Sequence, residues 1–316
     1  MAAPPTDTYE TYAQIGKKED IADILYQISP EETPFMSAAE DTESIAVLHQ
    51  WMTDVLAAAS GSNAVEEGLD AVTTASVATV LASNTCQISD KAPRVSGTSN
   101  AVQKYGRGDE LEYQIAKMGK ELKRDMETSL LANTAEVTGS SGTARVLGGI
   151  ETWIGTNVDS GTGATNRTDG NTVRTAGTAR EFTETMLKAA LRLVFAEGGN
   201  PKTIMVGGFN KQVMSAFTGN ATKTIELGGG LRTLDAAIDI YKSDFGTLHI
   251  YPNRFQVAAD ALILDMDFWK VPYLRGMQVN KLAKTGDSER VQILCEYSLE
   301  SCNEKASGAV YDLTTA

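Results

Sequence analysis

The chain has little cysteine and no long apolar run. Its three cysteines, Cys86, Cys295 and Cys302, are an odd number without the spacing of a disulfide framework, so we expect no disulfide to hold the fold. That composition suits a reducing cytoplasm. No segment approaches the roughly 18 consecutive apolar residues of a membrane span, and the N-terminus lacks a basic region followed by an apolar run. We therefore expect neither a membrane-spanning segment nor export by a signal peptide.

Residues that usually carry chemistry are also scarce. The only two histidines, His49 and His249, lie far apart, and no group of His, Cys or acidic residues has zinc-site spacing. The sequence has no Gly-x-x-x-x-Gly-Lys phosphate loop, no Gly-x-Gly-x-x-Gly and no Gly-x-Ser-x-Gly nucleophile elbow. We therefore predict no catalytic residue, no cofactor and no metal site. An enzyme would need a constellation that none of these patterns reveals.

Positive charge is the third scarcity. Lys and Arg number 28 against 41 Asp and Glu, which gives a net charge of -13. A groove that follows a phosphate backbone needs the opposite balance, so a nucleic-acid-binding protein is disfavoured. Net negative charge favours solubility and repulsion from DNA. An ordinary acidic cytoplasmic protein remains the alternative reading of the charge.

Hydrophobic residues make up 42% of the 316-residue chain, enough to bury a substantial core that we expect to divide into two compact parts. The clearest helix is predicted over residues 109 to about 135, where apolar residues recur every three or four positions. Asp109 with Glu112 resembles a capping box at its start. About 27 residues would form a rod about 40 Å long.

Extended segments are predicted before this helix. Residues 45–56 around Trp51, 72–81 and 86–95 have β composition, and a small, polar, acidic stretch ending at Gly68 separates the first two. Two extended arms with such a tip predict a long hairpin that projects from the body. Its exposed edges would invite docking.

The second half of the chain alternates helices with short strands. Residues 139–177 form a long predicted loop, and Thr178 with Glu181 is predicted to cap a helix that carries Phe182. The remaining predicted elements are a strand at 203–206, a short helix on 209–217, a loop at 219–232, strands at 240–242, 247–251 and 261–264, an alternating strand at 291–299 with one face buried and the other mostly wet, and a further run at 309–313. This order predicts an α+β fold.

The N-terminal region combines a helix pattern with two prolines. Ile21, Ile24, Leu25 and Ile28 share one helical face, and Pro30 ends the helix. Pro34 then predicts that Thr33, Phe35 and Met36 leave as an extended arm. Two interpretations remain open, an ordinary first helix and turn, or an arm that grips a neighbouring molecule.

A set of short motifs then follows in order along nearly the whole chain. They are Lys17-x-Glu19-Asp20, Ile28-Ser29-Pro30-x-x-Thr33-Pro34-Phe35, His49-x-Trp51-x-x-Asp54, Val95-Ser96-Gly97-Thr98, Lys123-Arg124-Asp125-x-Glu127, Asp244-Phe245-Gly246-Thr247 and Lys284-Thr285-Gly286-Asp287. Each motif is weak alone, but their order resembles a family of tailed-phage major capsid proteins long filed as a domain of unknown function.

The resemblance implies the Hong Kong 97-like capsid fold. It predicts an N-terminal arm at 1–44, an extended-loop hairpin at 45–98, a peripheral domain at 99–138 and 265–316 with a long spine helix, and an axial domain at 139–264. The implied function is a major capsid protein that self-assembles as hexamers and pentamers into the icosahedral head around the double-stranded DNA genome of a tailed bacteriophage. The implied location is the virion, after assembly in the host cytoplasm.

The implied partners are copies of the same chain, without a membrane and without sequence-specific contact to the packaged DNA. The resemblance allows separate scaffolding, portal and decoration proteins, and a motif that starts within the first 20 residues leads us to expect any scaffold as a separate chain. Phe35, Met36, Trp51 and Asp54 are the predicted intersubunit contacts. A core position is the alternative for Trp51. An encapsulin-type shell around protein cargo is the alternative within structural proteins.

Overall fold

The computed structural model describes residues 32–70, 78–104, 108–217, 224–227, 231–234 and 239–315. The predicted helix with Ile21, Ile24, Leu25 and Ile28, and Pro30 after it, lies outside these residues. The α-helices are α1 Pro34–Ala38, α2 Gly97–Ala101, α3 Glu110–Leu130, α4 Glu184–Ala196 and α5 Gly208–Ser215. The strands are β1 Glu40–Glu43, β2 Leu48–Thr53, β3 Val80–Thr85, β4 Gln87–Lys91, β5 Arg94–Ser96, β6 Val158–Asp159, β7 Thr203–Val206, β8 Thr224–Leu227, β9 Leu231–Leu234, β10 Ile240–Ser243, β11 Gly246–Pro252, β12 Ala261–Leu264, β13 Trp269–Lys281, β14 Ser288–Tyr297, β15 Glu300–Ser301 and β16 Gly308–Val310. None of the described helices is long and apolar enough to cross a bilayer.

The first sheet has the order β1-β13-β14-β4, with β15 also paired to β13 and β5 to β14. Strand β1 runs parallel to β13, whereas β14 is antiparallel to both β13 and β4. Helix α3 packs its narrow apolar stripe against this sheet. The core between them includes Leu122, Met126, Leu130, Trp269, Ile293 and Tyr297. The sheet and α3 therefore form the two-layer arrangement that a long helix with one apolar stripe favours.

Strand β13 is the longest strand described, at 13 residues, and no sequence pattern predicts it. Its first half alternates normally, with Trp269 and Val271 buried. Pro272 within this run argues against a strand, because proline cannot donate to the ladder. The outer half, residues 275–281, is exposed on both faces, and its only apolar alternation is the short one of Met277 and Val279. Sheet pairing with β14 stabilises it where local patterning does not.

The second sheet has the order β10-β11-β7-β12-β16-β6. Pairs β11–β7 and β16–β6 are parallel, and the other neighbours are antiparallel. Helices α4 and α5 contribute to its core. The members include Phe182, Leu187, Leu191, Ile204, Val206, Met214, Leu248 and Ile263. The predicted run at 309–313 overlaps β16, which belongs to this second sheet. The preceding strand, β15, belongs to the first sheet.

Both predicted long helices are confirmed, with shorter bounds. The carboxylate of Asp109 accepts hydrogen bonds from the backbone N–H groups of Leu111 (2.7 Å) and Glu112 (3.3 Å), so Asp109 is the N-cap of α3. Helix α3 has 21 residues and is about 31 Å long. Helix α4 begins at Glu184 and not after Thr178, because the backbone N–H of Thr178 bonds to the carbonyl of Thr162 within the preceding loop (3.0 Å).

Three local predictions are wrong. The segment from Pro34 is a short helix and not an extended arm, because proline is compatible with the first helical position. Within the predicted loop at 219–232, β8 pairs with β9 as a hairpin. The face of the 291–299 run that was predicted to be wet is buried at Glu296 in β14 and at Ser298 just beyond it. Two arginines pair with Glu296, and the Ser298 hydroxyl donates to the carbonyl of Thr85 (3.1 Å).

Candidate functional site

The hairpin β2–β3 projects as a two-stranded ribbon. Trp51 faces Ala82 across the pair, and among the described strands β2 and β3 pair only with each other. Residues 54–70 beyond β2 are all exposed. Several apolar side chains on and beside the ribbon are also exposed, namely Ile45, Met52, Val55, Leu56, Val80 and Leu81. Two open edges with contiguous apolar surface are the features of a docking element.

The base of this hairpin is fixed by aromatic contacts. Trp51 is 8% exposed, and its Nε1 donates to the backbone carbonyl of Ser301 (2.9 Å). Its ring lies 5.3 Å from that of Trp153, centroid to centroid. The structure therefore places Trp51 in the core of its own chain, which is the alternative that the sequence left open.

A hydrogen-bonded pair of a histidine and a glutamate lies beside Trp51. His49 Nε2 is 2.9 Å from an Oε of Glu300, and the imidazole packs 5.7 Å from the Trp51 ring. The hydrogen bond from His49 holds the pKa of Glu300 below its ordinary value, although burial acts in the opposite direction. The pair connects β2 to the short strand β15.

Asn84 makes the most extensive polar contacts at the base. Its Nδ2 donates to the carbonyls of Leu299 (2.8 Å) and Gly148 (3.1 Å), and its Oδ1 accepts from the N–H of Gly148 (2.8 Å). Asn84 is fully buried, so each of these bonds would be costly to lose. Sequence reasoning missed this residue, because a single Asn in a strand has no pattern that indicates burial.

Phe35 and Met36 lie at a second place, on helix α3. The Phe35 ring is fully buried, 6.3 Å from the Trp269 ring. The backbone N–H groups of Phe35 and Met36 donate to Oε1 (2.8 Å) and Oε2 (2.9 Å) of Glu127. Asn253 Nδ2 donates to the same Oε1 (2.7 Å). We call Phe35, Met36, Glu127 and Asn253 the Glu127 joint.

The carboxylate of this joint is fully buried. Burial raises the pKa of Glu127, and the three hydrogen bonds that it accepts oppose the rise. The sequence singled out Glu127 within Lys123-Arg124-Asp125-x-Glu127 but did not indicate a role. The structure supplies one, because the first amides of a helix have no intrahelical acceptor and Glu127 provides it.

The four predicted contact residues do not form one site. Phe35 and half-buried Met36 lie at the Glu127 joint, and Trp51 lies at the base of the hairpin. Asp54 is exposed beyond the end of β2, where its Oδ1 accepts from the N–H of Val55 (2.9 Å).

A buried charge cluster joins the long loop to the second sheet. Arg174 Nη2 lies 2.5 Å from Asp312 Oδ1, and the guanidinium stacks 4.2 Å from the centre of the Tyr311 ring. Glu151 Oε2 is 3.8 Å from Arg174 Nη1, and Asp260 hydrogen-bonds to Glu151. Three carboxyl groups thus share one guanidinium.

The carboxyl groups of this cluster differ in the direction of their pKa shifts. Burial raises the pKa of Asp260 well above its ordinary value and also raises the pKa of Glu151, its hydrogen-bond partner. Burial acts in the same direction on Asp312, but hydrogen bonds from Arg174 and from backbone N–H groups bring its pKa below the ordinary value. All four side chains are buried away from solvent, which suits a structural role. Within the described residues, no group of three or more His, Cys, Asp or Glu could hold a metal ion.

Phe245, from the Asp244-Phe245-Gly246-Thr247 motif, lies at the turn between β10 and β11. Its ring stacks on that of Phe195, with the centroids 4.7 Å apart, and both are partly exposed. A cavity of about 220 Å³ beside them is lined by residues including Leu191 and Pro201. This is a second exposed apolar surface, on the second sheet.

Comparison with known proteins gives a consistent result. The major capsid protein of Escherichia phage Phieco32 is 43% identical over 133 residues, which span 42% of this chain and 38% of that protein. The capsid structure of cyanophage A-1(L) superposes with a TM-score of 0.66 at 13% identity, covering 97% of this chain and 99% of that one. The holo-SrpI encapsulin complex from Synechococcus elongatus PCC 7942 superposes with a TM-score of 0.55 at 11% identity, covering 95% and 93%.

These structures share the Hong Kong 97-like fold, so the predicted α+β fold class and the resemblance are confirmed. A phage capsid and an encapsulin both share this fold, so similarity of fold does not distinguish between them. The sequence match to a family is more specific, since it runs over residues 5–314. This chain therefore belongs to the SU10 major capsid protein family.

Proposed function

We propose that this chain is the shell subunit of a tailed-phage head, and that its copies form hexamers and pentamers around a double-stranded DNA genome. The observation that carries the proposal is the hairpin β2–β3. Its base is tied to the body by Trp51 and Asn84, whereas its outer part is apolar and exposed. In a monomer, the unpaired strand edges and exposed apolar side chains of this hairpin would favour aggregation. In a shell, a neighbouring subunit would cover them.

The proposed domains are those predicted from the sequence, with two changes of their bounds that the sheet pairing supports. The arm at 1–44, the hairpin from 45, the peripheral domain at 99–138 and 265–316 and the axial domain at 139–264 remain the proposal. The pairing of β4 and β5 with β14 supports moving residues 87–96 to the peripheral domain. The pairing of β16 with β12 supports moving 308–310 to the axial domain.

Asp54 remains the proposed intersubunit contact from the original four, together with the exposed neighbours Met52, Val55 and Leu56. Phe35, Met36 and Trp51 contact groups of their own chain at the Glu127 joint and the hairpin base, and their role in intersubunit contact stays a prediction. Separate scaffolding, portal and decoration proteins are further proposed partners, with assembly in the host cytoplasm and final location in the virion.

The family is structural, and we propose no enzymatic activity. Between a phage head and an encapsulin-type compartment, the family match over residues 5–314 and the 43% identity to the major capsid protein of an Escherichia phage favour the head, because the fold alone is shared with an encapsulin as well. The net charge of -13 also suits a shell whose lining repels the packaged DNA.

Electron microscopy of the purified protein, alone and with a co-expressed scaffold, tests the proposal. We expect closed shells of uniform diameter. A chain that stays monomeric under every assembly condition would contradict it. Val55→Asp should abolish shells, because it puts a charge into the proposed contact. Val173→Asp is the matched control, since Val173 is an exposed valine in the loop at 139–177 and not in the hairpin, 46% exposed against 65% for Val55.

A further inference from the structure

Glu127 touches three parts of the chain with one carboxylate. It lies on α3, it binds the first free amides of α1, and it accepts from Asn253 in the loop that follows β11. We propose that Glu127 is a positioning residue for assembly, which fixes the direction in which the N-terminal segment joins the body and couples that direction to the second sheet. This inference rests on the proposed shell function.

Helix α1 has no local source of stability. It has five residues, far below the length at which an isolated helix is stable. The side chain of Thr33 at its N-cap makes no capping hydrogen bond, and Pro34 has no N–H. The N–H groups of Phe35 and Met36 are therefore the first that need an acceptor. They find it in a residue 92 and 91 positions later, so the placement of α1 depends on tertiary contact.

The same carboxylate is also linked to the second sheet by a hydrogen bond from Asn253. The backbone N–H of Asn253 donates to the carbonyl of Val206 at the end of β7 (2.9 Å), while its side chain donates to Glu127. One turn earlier on α3, the Arg124 guanidinium lies 6.0 Å from the centre of the Phe255 ring. A rotation of this sheet against α3 would move a donor that Glu127 uses. The Phe35 ring against Trp269 adds the connection to the first sheet.

The chemistry of the joint requires a carboxylate. All three contacts donate, two to Oε1 and one to Oε2. A glutamine of the same size has one acceptor oxygen and one amino group. If that oxygen keeps the two donors at Oε1, the amino group faces the N–H of Met36, donor against donor. Glu127→Gln therefore loosens α1 selectively while it fills the same space.

Amide hydrogen exchange and shell yield, measured on the full chain, test the proposal. In Glu127→Gln we expect the protection of the Met36 amide to fall at least about tenfold, with a smaller loss at Phe35, and shell yield to fall severalfold. Asn253→Ala removes the donor that connects Glu127 to the second sheet, together with the acceptor of the Phe255 N–H (2.9 Å), and leaves Glu127 as the acceptor of both α1 amides. We expect it to keep the protection of both amides within about threefold and still to lower shell yield. Glu112→Gln is the matched control, because Glu112 is exposed on the same helix.

A purely stabilising role predicts a different result. In that case Glu127→Gln would lower shell yield only as much as a core variant of equal unfolding midpoint, for which Ile204→Val in the second core is suited. That outcome, or unchanged exchange at Met36, would overturn the proposal. Absence of shells from the unmodified chain would overturn the proposed function instead, and the exchange data would still decide whether Glu127 positions α1.

Discussion

The base of the hairpin β2–β3 and the segment that continues outward from β2 are neighbours in sequence but have opposite surroundings. At the base, Trp51 and Asn84 are buried and hydrogen-bonded to segments far away in the chain. In the outer segment, Val55 is 65% exposed and Leu56 is 94% exposed. The difference teaches that one element serves two purposes, folding at its base and association at its tip. Substitutions should separate these purposes.

The largest effect on folding is expected at Asn84. Asn84→Ala leaves the buried N–H of Gly148 and the buried carbonyl of Leu299 without the Asn84 side chain, and the Gly148 carbonyl keeps only the longer bond from Trp153 Nε1 (3.3 Å). We expect the free energy of unfolding to fall by about 2–4 kcal/mol, measured by chemical denaturation. The control is Asn63→Ala, an exposed asparagine in the same hairpin, which should leave stability unchanged. Equal effects from the two variants would remove the distinction between base and tip.

A smaller loss is expected at Trp51. Trp51→Phe keeps an aromatic ring against Trp153 but removes the donor to the Ser301 carbonyl. We expect a decrease of about 1–2 kcal/mol in the free energy of unfolding, because a buried carbonyl loses its partner and some packing is lost. Stability equal to that of the unmodified chain would show that the hydrogen bond does not secure the base.

A pH-dependent effect is expected at the His49–Glu300 pair. The pKa of Glu300 is lowered in the folded chain, so its contribution to stability is present above the ordinary pKa of about 4.5 and is lost as pH falls through the lowered value. His49→Phe removes the hydrogen bond and should flatten the decline of stability below about pH 4.5. His249→Phe, at an exposed histidine, is the matched control in the same acid titration. A decline as steep in His49→Phe as in the control would contradict this role.

The smallest folding effect is expected at the tip. Leu56→Ser should change the free energy of unfolding by less than about 0.5 kcal/mol, because the side chain is exposed in the single chain. It should nevertheless lower shell yield, measured by sedimentation of assembled particles. A large loss of stability with normal assembly would reverse the proposed division between base and tip.

Local patterns predicted the elements whose signals lie within a few residues of each other. Asp109 was correctly predicted as the cap of α3. A hairpin around Trp51 was also predicted, but its second strand was placed at 72–81 and lies at Val80–Thr85, while residues 71–77 are outside the described part of the chain. The exposed tip of that hairpin follows from its small and polar composition. These features depend on neighbours in sequence, which a pattern can contain.

Long-range pairing escaped prediction for a physical reason. Strand β13 carries Pro272 and an outer half with only two alternating apolar residues, so its pairing with β1, β14 and β15 is what makes it a strand. The alternating pattern predicted that Glu296 faces solvent, but Glu296 is buried and paired with Arg145 and Arg275. The period of two shows which side chains share a face, but it does not show what covers that face.

The sequence by itself determined the family, the α+β class, the long capped helix and the absence of recognisable catalytic motifs. Only the tertiary structure decided that Phe35 and Trp51 are core residues and that the proline segment begins a short helix. It also decided that Glu127 is the acceptor for that helix. A buried carboxylate and the amides it binds are 92 residues apart, and hydrogen bonds across such a separation form only when the fold brings the groups together.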